Sequence, residues 1–383
     1  MMLSLGSGSN MKLFRVGRLP LTLLALVTAS CVSAESWEAV RVLNDIEASG
    51  GPSELKKVTP KPQRTNIAYR VGDRAGVADL YEPGQPIGAG LVLVPGFTPH
   101  GKDDPRVVDL AFSLARARFL VLVPDVPGSR EMRVRLADAR GIADAAIHLA
   151  TMEATGGQEG VGILAISYAV GLAVLASLQP DAQDKVRFLV SLGGYYDARD
   201  VVTFITTGVY REPSSGERRS KRPLPAAKWI FLASNINTLS DPDDRAALAT
   251  MAKRRIRWRA APIKDLAARL GPEGRSLYEL LMNTDPERVQ GLIDRLPPAA
   301  YQQLQSLSLR NVDLSHLSGR LILIHGREDT MIPYTESLAL KAAVGNAELF
   351  IIDGFSHIDP SELGLVGRLR LIDAVQAVLR RRL

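Results

Sequence analysis

Cysteine is almost missing from this chain: Cys31 is the only one in 383 residues. No internal disulfide can therefore hold the fold together, and packing and hydrogen bonding must do so. Histidine is scarce too, with five in all, and no His or Cys cluster stands at metal-ligand spacing, so a metal site is not expected. A large surplus of one charge is also lacking. The 47 Lys and Arg against 41 Asp and Glu leave a formal +6 spread along the chain, which is no nucleic-acid footprint. The apolar run Leu19 to Ala29 falls short of the roughly 20 residues that span a bilayer.

What is present begins with a targeting segment. Lys12, Arg15 and Arg18 precede that apolar run, and small residues follow, the charged-then-apolar order of a bacterial secretory signal. Met11 opens the better signal, and Val32-Ser33-Ala34 offers a cleavage site before Glu35. Residues 1–34 are read as a signal peptide and the chain as exported, to the bacterial periplasm or beyond. Cys31 follows Thr28-Ala29-Ser30, which resembles a weak lipoprotein box, so a lipid anchor on Cys31 is the competing fate.

Six short runs of Val, Ile and Leu recur with helical stretches between them: 91–94, 119–123, 161–166, 188–192, 321–324 and 349–352. Continuous apolar strands separated by crossovers predict a mostly parallel, doubly wound α/β sheet covered on both faces. Residues 66–71 and 76–81 alternate more and predict an antiparallel leading edge. Val170 to Leu178 is apolar nearly all round and must be buried. Leu365, Leu369, Ile372, Val375 and Leu379 predict the buried stripe of a closing helix. Residues 201–318 differ in character: arginine-rich, helical in pattern and interrupted by Pro213, Pro223, Pro242 and Pro272. They are read as a helical cap inserted between two parts of the core, 65–200 and 319–383. Residues 35–64, with Gly50-Gly51-Pro52 and Pro60-Lys61-Pro62, read as a loosely packed arm.

The most informative segment is Val161-Gly-Ile-Leu-Ala-Ile-Ser167-Tyr-Ala-Val-Gly171, an apolar strand that runs into a serine and at once into a buried helix. A nucleophilic serine must sit on such a strained turn, with small residues two before and two after it, because strand and helix backbones converge there. Ala165 and Ala169 hold those positions where glycines are usual. Later in the chain, strand 321–324 leads into His325-Gly-Arg-Glu-Asp329, and strand 349–352 into Asp353-Gly-Phe-Ser-His357. Serine, then acid, then histidine at the carboxyl edge of a parallel sheet is an arrangement for proton-relayed nucleophilic catalysis.

These segments resemble the α/β-hydrolase superfamily, and within it the esterase, lipase and dienelactone-hydrolase-like branch, over roughly residues 66–380. The acid loop His325 to Pro333 and the histidine loop Gly354 to His357 carry the resemblance. It implies a serine hydrolase with Ser167 as nucleophile, His357 as general base and Asp329 as the orienting acid. It also implies an oxyanion hole from the backbone N–H groups of Phe97 and Tyr168, and it names Asp197 as the alternative acid. Neither metal nor organic cofactor is required, and the implied partner is a small acyl ester. Peptidase, thioesterase and a non-catalytic envelope binding protein of the same fold are the alternatives. Glu328 reads as a solvated charge, His100 as an exposed loop residue, and His148, His316 and His325 as structural. The basic stretches 218–222 and 253–259 read as a solvated face of the cap. With Trp258 and the apolar run 229–232 they offer, in the other reading, contact with anionic lipid or an acidic substrate.

Overall fold

Alternation of side chains along buried strands builds the core. The computed structural model describes residues 34–155, 160–357 and 363–382. Its strands are β1 (Gln63–Val71), β2 (Arg74–Glu82), β3 (Ala89–Val94), β4 (Phe119–Pro124), β5 (Val161–Ile166), β6 (Val186–Leu192), β7 (Val209–Arg211), β8 (Arg218–Ser220), β9 (Leu321–Gly326) and β10 (Ala347–Ile352). Eight of them form one sheet in the order β1-β2-β4-β3-β5-β6-β9-β10. Only β2 runs against its neighbours. The six strands expected to be parallel are all present, and residues 66–71 and 76–81 do pair antiparallel.

Helices α1 (Ala34–Ala48), α2 (Pro105–Arg116), α3 (Asp138–Thr151) and α4 (Ala169–Ser177) belong to the core. Helices α5 (Ala198–Thr207), α6 (Ala227–Asn235), α7 (Pro242–Arg257), α8 (Pro272–Met282) and α9 (Pro298–Leu307) lie in or lead into the insertion, and α10 (Thr335–Val344) and α11 (Leu365–Arg380) close the chain. Val92 and Val94 of β3 face a layer that holds α3 and α4, whereas Leu91 and Leu93 face α1, α2 and α11. Helix α4 is buried on every side, as an all-apolar helix must be. The insertion shares the first layer: Trp229, Leu232, Leu248 and Leu280 join the same buried cluster as Val92, Ile142 and Leu172. Pro242 and Pro272 start helices, where the missing N–H costs nothing.

Four expectations need correction. Residues 35–64 are no loose arm. Ala39, Val42 and Leu43 of α1 are buried against α2 and α11. Asp45, fully buried, takes a 2.7 Å hydrogen bond from Ser113 and lies 2.9 Å from Lys56. The stripe of α11 is rotated: Gly367, Leu371, Ala374 and Val378 are buried, while Leu365 and Leu369 are exposed. Space is the reason, because a Cβ on Gly367 would lie 2.1 Å from the Asp353 carbonyl oxygen, so that face meets the core backbone directly. The insertion also contains the β7–β8 hairpin, too short to show a strand pattern. Finally, the run 229–232 is only half at the surface: Trp229 and Leu232 are buried and Ile230 and Phe231 half-buried, while Trp258 is exposed. The leader reading and Cys31 lie outside the described residues. Among those described, no helix is long and apolar enough to cross a membrane.

Helix α10 ties the second half of the core to the first. Glu336, almost fully buried, accepts the N–H groups of Tyr196 at 3.0 Å and Asp197 at 2.8 Å. Burial, aided by the nearby charge of Asp200, pushes its carboxyl up to about 8. Folding thus takes up a proton on Glu336 between the ordinary carboxylate range and about pH 8, and stability falls as pH rises through that window. Glu336→Gln keeps an accepting oxygen and removes the charge. Its Tm should fall less between about pH 5 and about pH 8 than that of the parent chain. Equal calorimetric slopes would show that this proton resides elsewhere.

Candidate active site

Ser167 occupies the turn from β5 into α4 with φ +59°. A side chain in this left-handed region costs about 1–2 kcal/mol, so the surroundings must impose it. The Ser167 N–H donates to Leu192 O at 2.8 Å, and Val170 N–H donates to Ser167 O at 3.1 Å. Ala165 and Ala169 are fully buried, so a methyl group fits where strand and helix converge. The departure from paired glycines leaves the elbow intact.

The acid and the histidine arrive from β9 and β10. Asp329 is 1% exposed. Its Oδ1 accepts the N–H groups of Met331 at 2.7 Å and Ile332 at 2.9 Å, and its Oδ2 lies 2.7 Å from His357 Nδ1. His357 Nε2 lies 2.8 Å from Ser167 Oγ. The three residues form one hydrogen-bonded chain. Burial alone would raise the Asp329 carboxyl, but the charge and hydrogen bonds of His357 and His325 outweigh it and hold the group well below the usual carboxylate range.

Asp197 is not in this chain. Almost fully buried, it caps α5 through Arg199 N–H at 3.0 Å and takes hydrogen bonds from Ser308 Oγ at 2.8 Å and Arg310 Nε at 2.6 Å. Its surroundings are those of a structural carboxylate. Of the remaining histidines, His100 and His316 are exposed, and His148 stacks on Tyr69 with ring centroids 4.6 Å apart.

Three features went unread in the sequence. Glu328 is no solvated charge: its Oε2 accepts the Gly354 N–H at 2.7 Å and so fastens the acid loop to the histidine loop. Gly326 admits the histidine loop, since a Cβ there would lie 1.9 Å from Phe355 O. Fully buried His325 braces the acid loop from behind. Its Nε2 faces two acceptors, Ile332 O at 3.0 Å and Asp329 Oδ2 at 3.3 Å, which assigns the hydrogen to that nitrogen. Its Nδ1 then accepts from Ser337 Oγ at 2.7 Å. The neighbouring glycine in His325-Gly326 was visible, but a single sequence does not say what a buried histidine touches.

The Phe97 and Tyr168 rings stack with centroids 3.7 Å apart. Among the described residues the backbone N–H groups of both lack an acceptor. The Phe97 loop is pinned by Ser129, which donates to Gly96 O at 2.5 Å. A cavity of about 110 Å³ opens beside Ser167, lined mainly by apolar groups from core and insertion. A roomier one of about 420 Å³ lies among Asp197, Arg199, Asp200, Arg310 and Glu336, and neither Ser167 nor His357 lines it. Among the described residues no group of three or more His, Cys, Asp or Glu could hold a metal ion.

The strand order, with its single reversed strand, and the descent of serine, acid and histidine from β5, β9 and β10 define an α/β-hydrolase fold. No protein-family model matches the sequence, and no curated protein does. Among solved structures, a Legionella pneumophila protein described as a candidate hydrolase aligns with a TM-score of 0.53 at 11% identity, over 91% of this chain and 95% of that one. An acylaminoacyl peptidase of Pyrococcus horikoshii aligns with a TM-score of 0.46 at 13% identity, over 83% of this chain and 40% of that one, so this chain spans two fifths of its length. A dienelactone hydrolase of Anabaena variabilis aligns with a TM-score of 0.42 at 16% identity, over 82% of this chain and 96% of that one. What the Legionella likeness shows is the fold.

His325→Leu leaves Ile332 O and Ser337 Oγ without their partner inside the core and takes one donor from Asp329. It should lower stability by about 1–3 kcal/mol in denaturant titrations, and His325→Gln, which can still donate toward Ile332 O, by less. Equal losses would reduce His325 to a filler of space.

Proposed function

We propose that the chain is a serine hydrolase that works through an acyl-enzyme on Ser167, and that its substrates are carboxylic esters. The observation that carries this reading is the unbroken relay from Ser167 Oγ through His357 to the buried Asp329, with 2.8 and 2.7 Å links. A neutral hydroxyl is a weak nucleophile, so His357 Nε2 takes the serine proton as Oγ bonds to the acyl carbon. The bond to the alkoxy oxygen then breaks, and the imidazolium gives its proton to the leaving alcohol. Water repeats the sequence in reverse, releasing the acid and restoring Ser167. Asp329 holds the imidazole in the tautomer with hydrogen on Nδ1 and offsets its transient charge. The N–H groups of Phe97 and Tyr168, with the N-terminus of α4, serve the oxyanion. Export belongs to the same proposal, supported by the order of charge and apolarity in residues 12–29.

Incubation with a fluorophosphonate should label Ser167, and Ser167→Ala should abolish the label. A folded parent chain that stays unlabelled supports a binding protein instead. Ser167→Ala or His357→Ala should each lower kcat by roughly 10⁵ to 10⁶-fold, as members of such relays do. Asp329→Asn should lower kcat by about 10⁴-fold, while Asp197→Asn lowers stability and spares turnover per folded molecule; the reverse pattern would move the acid to Asp197. Because Asp329 stays ionised, the acid limb of kcat/KM should follow the uptake of a single proton. A two-proton limb contradicts this assignment.

A further inference from the structure

In the turn after β4, Ser129 is fully buried and grips the loop after β3 on both sides of Phe97. Its Oγ donates to Gly96 O at 2.5 Å, and its carbonyl oxygen accepts the Thr98 N–H at 3.2 Å. That loop lies against the nucleophile: a Cβ built on Gly96 would stand 3.5 Å from Ser167 Cβ. Ser129 is itself held from behind. Its N–H donates to Val126 O at 3.0 Å, and the preceding Gly128 N–H donates to buried Asp138 Oδ2 at 2.9 Å. A Cβ on Gly128 would fall 2.2 Å from that oxygen, so the turn closes on Asp138 without slack.

What these bonds do follows from which groups share a peptide unit. The Gly96 carbonyl and the Phe97 N–H are two ends of one planar trans amide and point in opposite directions. Fixing the carbonyl oxygen therefore aims the N–H. A donor on that oxygen also draws charge through the amide and makes the N–H a stronger donor in turn. The next peptide unit is held as well, by the Thr98 N–H on Ser129 and by Thr98 Oγ1, which donates to buried Asp104. Among the described residues the Phe97 N–H between these two holds is left without an acceptor.

Resting on the hydrolase reading, we propose that Ser129 is a positioning residue of that hydrolase, which aims and polarises the Phe97 N–H for the substrate's carbonyl oxygen. Charge gathers on that oxygen each time the acyl carbon becomes tetrahedral, once when Ser167 Oγ attacks and once when water does. The series Ser129 O–H, Gly96 C=O, Phe97 N–H then presents a donor already oriented, which costs no reorganisation as the charge appears. Ser129 lies outside both the relay and the lining of the cavity beside Ser167. Its effect therefore belongs to the transition state rather than to the bound ester, whose carbonyl oxygen carries little charge.

Ser129→Ala removes the side-chain donor and leaves the backbone bonds of the turn in place. With nitrophenyl butyrate, kcat per active site should fall about tenfold to a hundredfold, a share of the roughly 10² to 10³-fold that loss of a whole oxyanion donor costs, while KM stays within about twofold. Binding of a trifluoromethyl ketone, which adds to Ser167 as a hemiketal with a charged oxygen, should weaken by the same factor as kcat. Ser129→Cys, close in shape and a weaker donor, should lie between parent and alanine, and it carries the test if Ser129→Ala does not fold. A kcat within about twofold of the parent, or a loss confined to KM with ketone affinity unchanged, overturns the proposal, because a merely stabilising serine lowers Tm and leaves kcat per site alone. Sites are counted by fluorophosphonate labelling, which keeps the two ideas separate: a labelled parent whose Ser129 variants keep kcat sinks the role of Ser129 alone, and an unlabelled parent sinks the hydrolase reading beneath it.

Discussion

A carboxylate removed from water must be surrounded by donors, and Asp329 imposes that requirement on everything around it. Two backbone N–H groups of its own loop, the His357 ring and the His325 ring supply them. Each donor sets a position: the first two fold the loop tightly behind β9, His325 anchors it to α10 through Ser337, and His357 is drawn in from the far end of β10. Glu328 then ties the two loops together by their backbones. The geometry at Ser167 is thus the end of a chain of constraints that starts with one buried charge.

Much of the sheet was legible because parallel strands buried on both faces leave continuous Val, Ile and Leu runs of a distinctive length. The order of serine, acid and histidine was legible for a related reason. In such a sheet every strand delivers its following loop to the same edge, so chain order and topology together bring distant residues into register. Ala165 and Ala169 weakened the local pattern without weakening the turn, since the space at the elbow tolerates a methyl group.

What stayed hidden was decided by partners rather than by pattern. The stripe of α11 turns away from its own leucines because Gly367 can press on Asp353 O where Leu369 cannot. Helix α1 looked like an arm because glycines and prolines follow it, yet its burial depends on α2, some sixty residues on, and on α11 near the last residue. Asp197 and Asp329 are both acids placed after strands in the right half of the sheet. Only three-dimensional contacts distinguish them, since one faces arginines and a helix terminus and the other an imidazole.

The insertion buries its apolar side chains in the same layer as α3 and α4. A lid hinged at its two ends could not lift away from the sheet without tearing that common interior open to water. Phe231 from the insertion and Met331 from the acid loop both pack on that interior and line the cavity beside Ser167, so the wall around the serine hydroxyl belongs to the same continuous apolar layer.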